Sequence, residues 1–462
     1  MDHSIDFDRA LIKKYDVSGP RYTSYPTANL FEHLSSDDYR LAAVSSNDDP
    51  VPAPLSIYIH VPFCAKLCFY CACNKVVTKN KTRSELYLAR LYREIALQGA
   101  LYDRDRQVEQ LHFGGGTPTF LEDEQLETIF EELDRHFTLV KDDRREFSIE
   151  IDPRTTDADR IFKLADMGIN RLSLGVQDVE PIVQKAVNRV QSIEETTAVI
   201  NAARAANFKS ISLDLIYGLP HQTIDSFAKT IETVLEFRPD RLAIYNYAHM
   251  PELFAPQKRI LEKDLPSADD KLQILSNTIN RLVEAGYVYI GMDHFALPDD
   301  ELVLAQERGQ LQRNFQGYST HGHCDLIGLG PSSIGQVGGT FSQNAKDLNE
   351  YYDLLSEAKI PIVKGYVSTD DDLLRKEIIQ EIMCHHRLRY QTFERAFDIE
   401  FSGYFWPELE ALKSLATDGL LEFCEGGFNV TSKGRVLLRH VAMIFDAYLK
   451  VPGKKARFSK VI

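Results

Sequence analysis

Seven apolar, β-rich runs recur from residue 55 onward: LSIYIHV (55–61), VEQLHF (108–113), FSIEID (147–152), RLSLGV (171–176), SISLDLIYGL (210–219), RLAIYNY (241–247) and YVYIGM (287–292). Most are near-continuous, the pattern of strands buried on both faces. The segments between them carry helical periodicity. In SELYLARLYREIAL, Leu88, Leu91, Tyr92 and Ile95 fall at i, i+3, i+4 and i+7, and Phe227, Ile231, Val234 and Leu235 form a similar stripe. Ser192 and Glu195 have capping-box spacing at the head of another helix. Strand and helix in alternation predict an α/β fold around a parallel sheet, either barrel-like or open and doubly wound.

The pattern changes near residue 369. STDDDLLRKEIIQEIMCHH and PELEALKSLATDGLLEF are helical in character. LLEFCEGGFNVTSKGRVLLRHVAMIF reads as strand, Gly-Gly turn, strand and helix, the order of a small winged-helix unit. The expected organisation is an N-terminal arm (1–50), a catalytic domain (51–368), a mostly helical cap (369–450) and a basic, mobile tail (451–462). In the arm, Gly19, Pro20 and Pro26 interrupt SGPRYTSYPTA (18–28) and exclude regular structure. It is either a surface strap or a cover over an active-site mouth.

The formal net charge of −15 argues against a nucleic-acid or lipid-surface binder, and no basic recognition helix is evident. It leaves room for an anionic small substrate, which needs only a local basic pocket. MDHSIDFDRALIKKYDV lacks the apolar core of a signal peptide, and no run of 18 apolar residues suggests a membrane span. A cytoplasmic, reducing location is therefore expected, and the complete set of domains is compatible with a monomer. In that setting clustered cysteines read as metal ligands or redox groups before disulfides.

Four of the seven cysteines, Cys64, Cys68, Cys71 and Cys73, fall within HVPFCAKLCFYCACNK, directly after the first strand. Structural zinc sites usually pair two distant knuckles, so four ligands on one short loop make a closed tetrahedron awkward. An iron–sulfur cluster is larger. A C-x3-C-x2-C loop can bind three irons of a [4Fe–4S] cube and leave the fourth open to a ligand, with Cys73 in excess. Strand ends of this kind host active sites. Cys324, Cys384 and Cys424 are scattered and read as small buried hydrophobes. The histidines of HHR (385–387) and HGH (321–323) lack helical ligand spacing and read as surface turns.

C-x3-C-x2-C with Tyr70 before the last cysteine resembles the radical S-adenosylmethionine (SAM) enzymes. The motifs LHFGGGTPTFL, SIEIDPR, LSLGVQD, NRVQ, DLIYGLP, YNYAHMP, GMDHFALPDDEL and RNFQGYST extend the resemblance to the oxygen-independent coproporphyrinogen III oxidase family over nearly the whole chain. Ala72 stands where a Gly is expected, and THGHCD (320–325) departs in its polar residues. The resemblance implies an incomplete (β/α)6-type barrel and a haem-pathway reaction. Two propionates of coproporphyrinogen III become vinyl groups, giving protoporphyrinogen IX, with a 5′-deoxyadenosyl radical taking the hydrogen atom. It also implies an electron donor and an electron acceptor, neither identified by the sequence.

By the same resemblance Cys64, Cys68 and Cys71 are the cluster ligands. Tyr58, Gly115, Glu150 and Ile334 correspond to contacts of one SAM. Tyr70, Gly116, Thr117, Gln177, Arg189, Asp214 and Ala248 correspond to contacts of a second. Cys73 is a candidate catalytic thiol outside the ligand set. Arg21, in the N-terminal arm, is the candidate cation for a substrate carboxylate. Each has a plainer reading: glycines in turns, and Gln or Asp capping the next helix. Three alternatives remain: a radical SAM enzyme on another substrate, a related haem-carrying chaperone, and a zinc-stabilised module. Cys73 and PRYTSYP argue against the chaperone.

Overall fold

LSIYIHV forms β1 (Leu55–Val61), with all but Tyr58 buried. Five more strands lie beside it in sequence order, all parallel: β2 (Gln107–Gly115), β3 (Glu146–Ile151), β4 (Arg171–Gln177), β5 (Ser210–Tyr217) and β6 (Arg241–Asn246). The helices that return the chain are α1 (Arg83–Gly99), α2 (Asp123–His136), α3 (Ala158–Asp166), α4 (Ile193–Ala205) and α5 (Ile224–Phe237). This is the six-stranded (β/α) arrangement, and each return needs a crossover because parallel strands cannot be joined by a tight turn. α1 buries Leu88, Leu91 and Ile95, and α5 buries Phe227, Ile231 and Val234. The Ser192–Glu195 capping box at the start of α4 is formed in both directions.

The coordinates are a computed structural model that describes residues 5–15, 17–450 and 458. The basic tail of 451–462 lies outside these apart from Phe458. Two compact units are present, one comprising Phe31–Ser267 with His323–Val367, the other the residues before Phe31, Ala268–Gly322 and the chain from Ser368.

In the first unit five more strands extend the sheet beyond β1, the outermost being the short Glu32–His33. β7 (Asp325–Leu329) is parallel to β1, and β8 (Ile334–Val337), β9 (Thr340–Asn344) and β10 (Ile362–Val367) follow antiparallel. These were not evident as strands in the sequence, being short and interrupted by Gly, Ser, Gln and Asn. The parallel strands are also less uniformly apolar than expected. β4 and β5 alternate buried and half-buried positions, and Ser173, Gly175, Gln177 and Asp214 occupy the half-buried set. That face lines a cavity instead of a dry core.

The second unit corrects the seventh run. YVYIGM contributes Val288–Gly291, which pairs antiparallel with His294–Ala296. Only Met292 and Asp293 separate the two strands, which leaves no room for a crossover helix. The C-terminal portion has helix Asp370–His385, further short helices, and an antiparallel sheet in the order 387–389, 427–430, 421–424, as a winged-helix-like unit requires. Its core includes Ile378, Ile382, Phe401, Phe405, Phe428 and Phe445.

The PRYTSYP segment is not a surface strap. Tyr22 and Tyr25 are buried in the core of the second unit. The Tyr22 hydroxyl donates to Asp446 at 3.0 Å, and Arg439 Nε donates to the Pro20 carbonyl at 2.9 Å. Nor do His385 and His386 sit on a surface turn. Both are buried, because the last turn of the helix packs inward and His386 closes it in the left-handed conformation at φ 57°. Of the scattered cysteines Cys384 is buried as expected, whereas Cys324 is half-buried and Cys424 is exposed at the hairpin.

Candidate active site

The cysteine loop leaves β1 through a closed neck. Phe63–Cys64 pairs with Val76–Val77, with Val76 N donating to Pro62 O at 2.6 Å and Thr78 N to Cys64 O at 2.9 Å. His60, the penultimate residue of β1, reaches across the neck: its Nε2 lies 2.9 Å from Asn74 O, and its carbonyl accepts from Tyr87 Oη at 2.9 Å. Burial lowers the His60 pKa and keeps the ring neutral. The middle of the loop is tied down by Phe69 N to Val187 O at 2.9 Å and Asn188 Nδ2 to Leu67 O at 2.7 Å. Tyr70 packs on the apolar cluster of Val183, Val187, Leu219, Tyr247 and Ile260. Twelve residues of uneven cysteine spacing thus become one fixed cradle.

That cradle faces a cavity of about 260 Å³ at the C-terminal ends of the parallel strands. Cys64, Cys68, Cys71, Cys73, Tyr70, Gly115, Gly116, Thr117, Glu150, Gln177, Arg189 and Asp214 all line it. The structure therefore gathers these residues, distant in sequence, around one space. Four others stand outside the lining. Tyr58, on β1, stacks on His112 at 5.7 Å and bonds His60 at 3.1 Å. Ile334 begins β8, its backbone set against Gly328, the β7 neighbour of Tyr58. Ala248 is half-exposed just beyond β6. Arg21 belongs to the second unit, where it is paired with Asp293.

The three glycines at the end of β2 are required by space. A Cβ on Gly115 would lie 2.7 Å from the His60 ring, and φ there is +112°. One on Gly116 would lie 2.7 Å from Phe63 O. With no side chains in the way, Gly116 N donates to Val61 O and Thr117 N to Phe63 O, both at 2.8 Å. Thr117 Oγ1 comes 3.6 Å from Cys64 Sγ. Glu150 accepts from Gly115 N at 3.2 Å and from His112 Nε2 at 3.3 Å, with its side chain 42% exposed toward the cavity.

Electrostatics divides the thiols. Burial pushes Cys64 up to about 11. Cys71 shares a hydrogen bond with Cys73, which lowers Cys71 and raises Cys73, and Lys75 adds to the first effect. Cys68 lies 3.7 Å from Arg189 Nη1 and 3.8 Å from Arg154 Nη2. Arg189 also donates to the Gly175 carbonyl and pairs with Asp152 at 3.3 Å. Its Nε is buried with no hydrogen-bond partner among the described residues. Burial pushes Asp152 up, but Arg189 and Arg154 outweigh it and hold the carboxyl below its ordinary range. Asp214 goes the other way, to about 7, through burial and the Glu150 charge.

Asp152, Arg154, Ser173, Lys66 and Lys75 also line the cavity and were not singled out in the sequence. Asp152 and Arg154 fall within SIEIDPR at the end of β3, and that position was the one signal available.

Residues 58–234 match the Radical SAM superfamily, and residues 368–437 match the HemN C-terminal domain. The oxygen-independent coproporphyrinogen III oxidase of Pseudomonas aeruginosa is 51% identical over 462 residues, covering 99% of both chains. This chain belongs to the oxygen-independent coproporphyrinogen III oxidase family. The Escherichia coli relative of the same name is 46% identical over 99% of both chains. A solved structure described as coproporphyrinogen III oxidase (HemN) from Escherichia coli, a radical SAM enzyme, superposes with a TM-score of 0.91 at 45% identity, covering 96% of this chain and 100% of that one.

As a radical SAM enzyme of this family, the chain uses a [4Fe–4S] cluster and SAM. Its residues fit both groups. The four thiols of the closed loop that line the cavity are soft donors of the kind a cluster takes. Carboxylates, glycine-lined backbone and an unpartnered guanidinium nitrogen supply the polar partners that an amino-acid and ribose moiety needs.

Proposed function

We propose that this chain catalyses the reaction named for its relatives, in the form the sequence implies: oxidative decarboxylation of two propionate groups of coproporphyrinogen III to vinyl groups, giving protoporphyrinogen IX. The observation that carries this is the closed cysteine cradle set over a cavity that also collects Glu150, Gln177, Arg189 and Asp214. When bound, the cluster and SAM supply a 5′-deoxyadenosyl radical, which can take a hydrogen atom from a propionate carbon that no base can deprotonate.

Cys64, Cys68 and Cys71 hold the cluster in this proposal, and the His60 and Tyr70 anchors keep the loop from moving. Glu150 and the Gly115 backbone receive one SAM. Arg189 offers its unpartnered Nε to a carboxylate of a second, beside Gly116, Thr117, Gln177 and Tyr70, while Asp214 accepts from ribose. The assignments of Tyr58, Ile334 and Ala248 rest on the resemblance alone. Arg21 binds a substrate carboxylate, which requires it to share or leave Asp293. An external reductant and an electron acceptor complete the balance, and the chain works as a cytoplasmic monomer. Among the described residues no helix is long and apolar enough to cross a membrane.

The test is anaerobic turnover of cluster-loaded protein with reductant, SAM and coproporphyrinogen III. Formation of 5′-deoxyadenosine together with loss of two carboxylates from the porphyrinogen is the expected result. Deoxyadenosine without change in the porphyrinogen would move the substrate elsewhere, and the absence of both products would overturn the proposal.

A further inference from the structure

The catalytic residues gather at the C-terminal ends of the parallel strands. A second group of ligand-bearing side chains lies at the opposite end of the same sheet. Asp325 at the start of β7 is in register with Leu55 at the start of β1, and Leu55 with Val108 at the start of β2. Glu109 follows Val108, and His323 and Cys324 lead directly into β7. A carboxylate oxygen of Glu109, a ring nitrogen of His323 and the Cys324 Sγ all lie within 4.8 Å of one another. His323 Nε2 is 3.2 Å from Glu109 Oε2.

One further observation bears on this group. The thiol is half-buried near three carboxylates, Glu109, Asp325 and Glu146. Arg106 is paired with Asp325, and Arg171 lies 3.6 Å from Glu146, so Glu109 is the carboxylate that faces the thiol and the imidazole as a ligand. A plain Glu109–His323 ion pair accounts for two of the three residues and leaves the half-buried cysteine without a role.

We infer that Glu109, His323 and Cys324 form a binding site for a divalent transition metal of the zinc class, separate from the catalytic cavity. One thiolate, one imidazole and one carboxylate are the mixed S/N/O set that Zn²⁺ accepts, with water as the fourth ligand. Ca²⁺ and Mg²⁺ prefer all-oxygen sets and are disfavoured. Ligand atoms around tetrahedral zinc stand roughly 3–4 Å apart, so the group must close slightly. His323 is exposed, and Glu109 and Cys324 are half-buried, so one side stays open to water. Binding replaces the thiol proton by the metal and releases that proton to solvent. The bound ion clips the segment entering β7 to β2.

The test uses full-length protein with its iron–sulfur cluster loaded, so that the cysteine cradle is already engaged. Protein equilibrated anaerobically with one equivalent of Zn²⁺ is gel-filtered, and zinc and iron are counted together. About one zinc per chain is expected in the wild type. Cys324→Ser and His323→Ala should each weaken retention more than about tenfold against a chromophoric chelator, with iron content unchanged. In parallel, Zn²⁺ should protect Cys324 from alkylation in the wild type but not in His323→Ala, whose exposed position leaves folding unaffected. Wild type that retains no zinc, or retention and protection equal in wild type and both variants, would overturn the site.

Discussion

Glu94 on α1 is fully buried and accepts three hydrogen bonds, from Gly330 N at 2.8 Å, Asn344 Nδ2 at 2.6 Å and Tyr351 Oη at 2.5 Å. It ties α1 to the turn after β7, and that turn abuts the His60 carbonyl just before the cysteine loop. Burial pushes its carboxyl from 4.5 to about 7, the three donors opposing but not cancelling the effect. A carboxyl raised in the fold stabilises the fold fully below its unfolded value, and that stability is lost as pH rises through the folded value. Two and a half decades of proton affinity, at about 1.4 kcal/mol each, amount to about 3.5 kcal/mol. Most of this, about 2–3 kcal/mol, falls between about pH 5 and pH 8. Glu94→Gln keeps an acceptor oxygen and the shape but cannot ionise. The variant should gain about 2–3 kcal/mol on the wild type as pH rises across that window, read from urea midpoints at equal slope. A difference between the two proteins that stays constant from about pH 5 to pH 8, within about 0.5 kcal/mol, would show that the fold does not raise the Glu94 carboxyl above its unfolded value and would refute the reasoning.

Gly116→Ala places a methyl 2.7 Å from the Phe63 carbonyl. Overpacking of about 1–3 kcal/mol should displace the base of the cysteine loop, and deoxyadenosine formation should fall at least about tenfold; an unchanged rate would contradict the spatial argument. Asp214, at about 7, is neutral below that pH and ionised above it. If it accepts from ribose, SAM affinity should tighten as pH rises through about 7, and Asp214→Asn should flatten the profile in equilibrium dialysis. If Cys64, Cys68 and Cys71 are the ligands, Cys73→Ser should retain about four irons per chain, and iron-free protein would place Cys73 among the ligands. Arg21→Ala should raise KM for the porphyrinogen roughly tenfold, the loss of one charged hydrogen bond of about 1.5 kcal/mol, and unchanged kinetics would remove Arg21 from substrate binding.

Much of the site was legible because its chemistry is local in sequence. The four cysteines lie within ten residues after a recognisable strand, and GGGTP announces close backbone approach at a strand end. Asp152 and Arg154 were less legible, since their importance comes from Arg189, which reaches the same carboxylate from a segment between β4 and α4. β8 to β10 were missed because short polar strands have little periodic signal when read alone. The two histidines at 385–386 read as polar and exposed, yet tertiary packing buried them.

What the sequence determined by itself is the order of strands and helices and the presence of a cysteine cradle after β1, because both follow from periodicity and spacing along a few neighbouring residues. Which face of β4 and β5 would be wet, that YVYIGM would turn back as a hairpin, that Tyr22 and Tyr25 would be core residues and that Glu109 would meet Cys324 were decided only by the tertiary structure. Each depends on what packs against a residue from a distant part of the chain, and burial, charge and distance between such residues have no counterpart in local sequence.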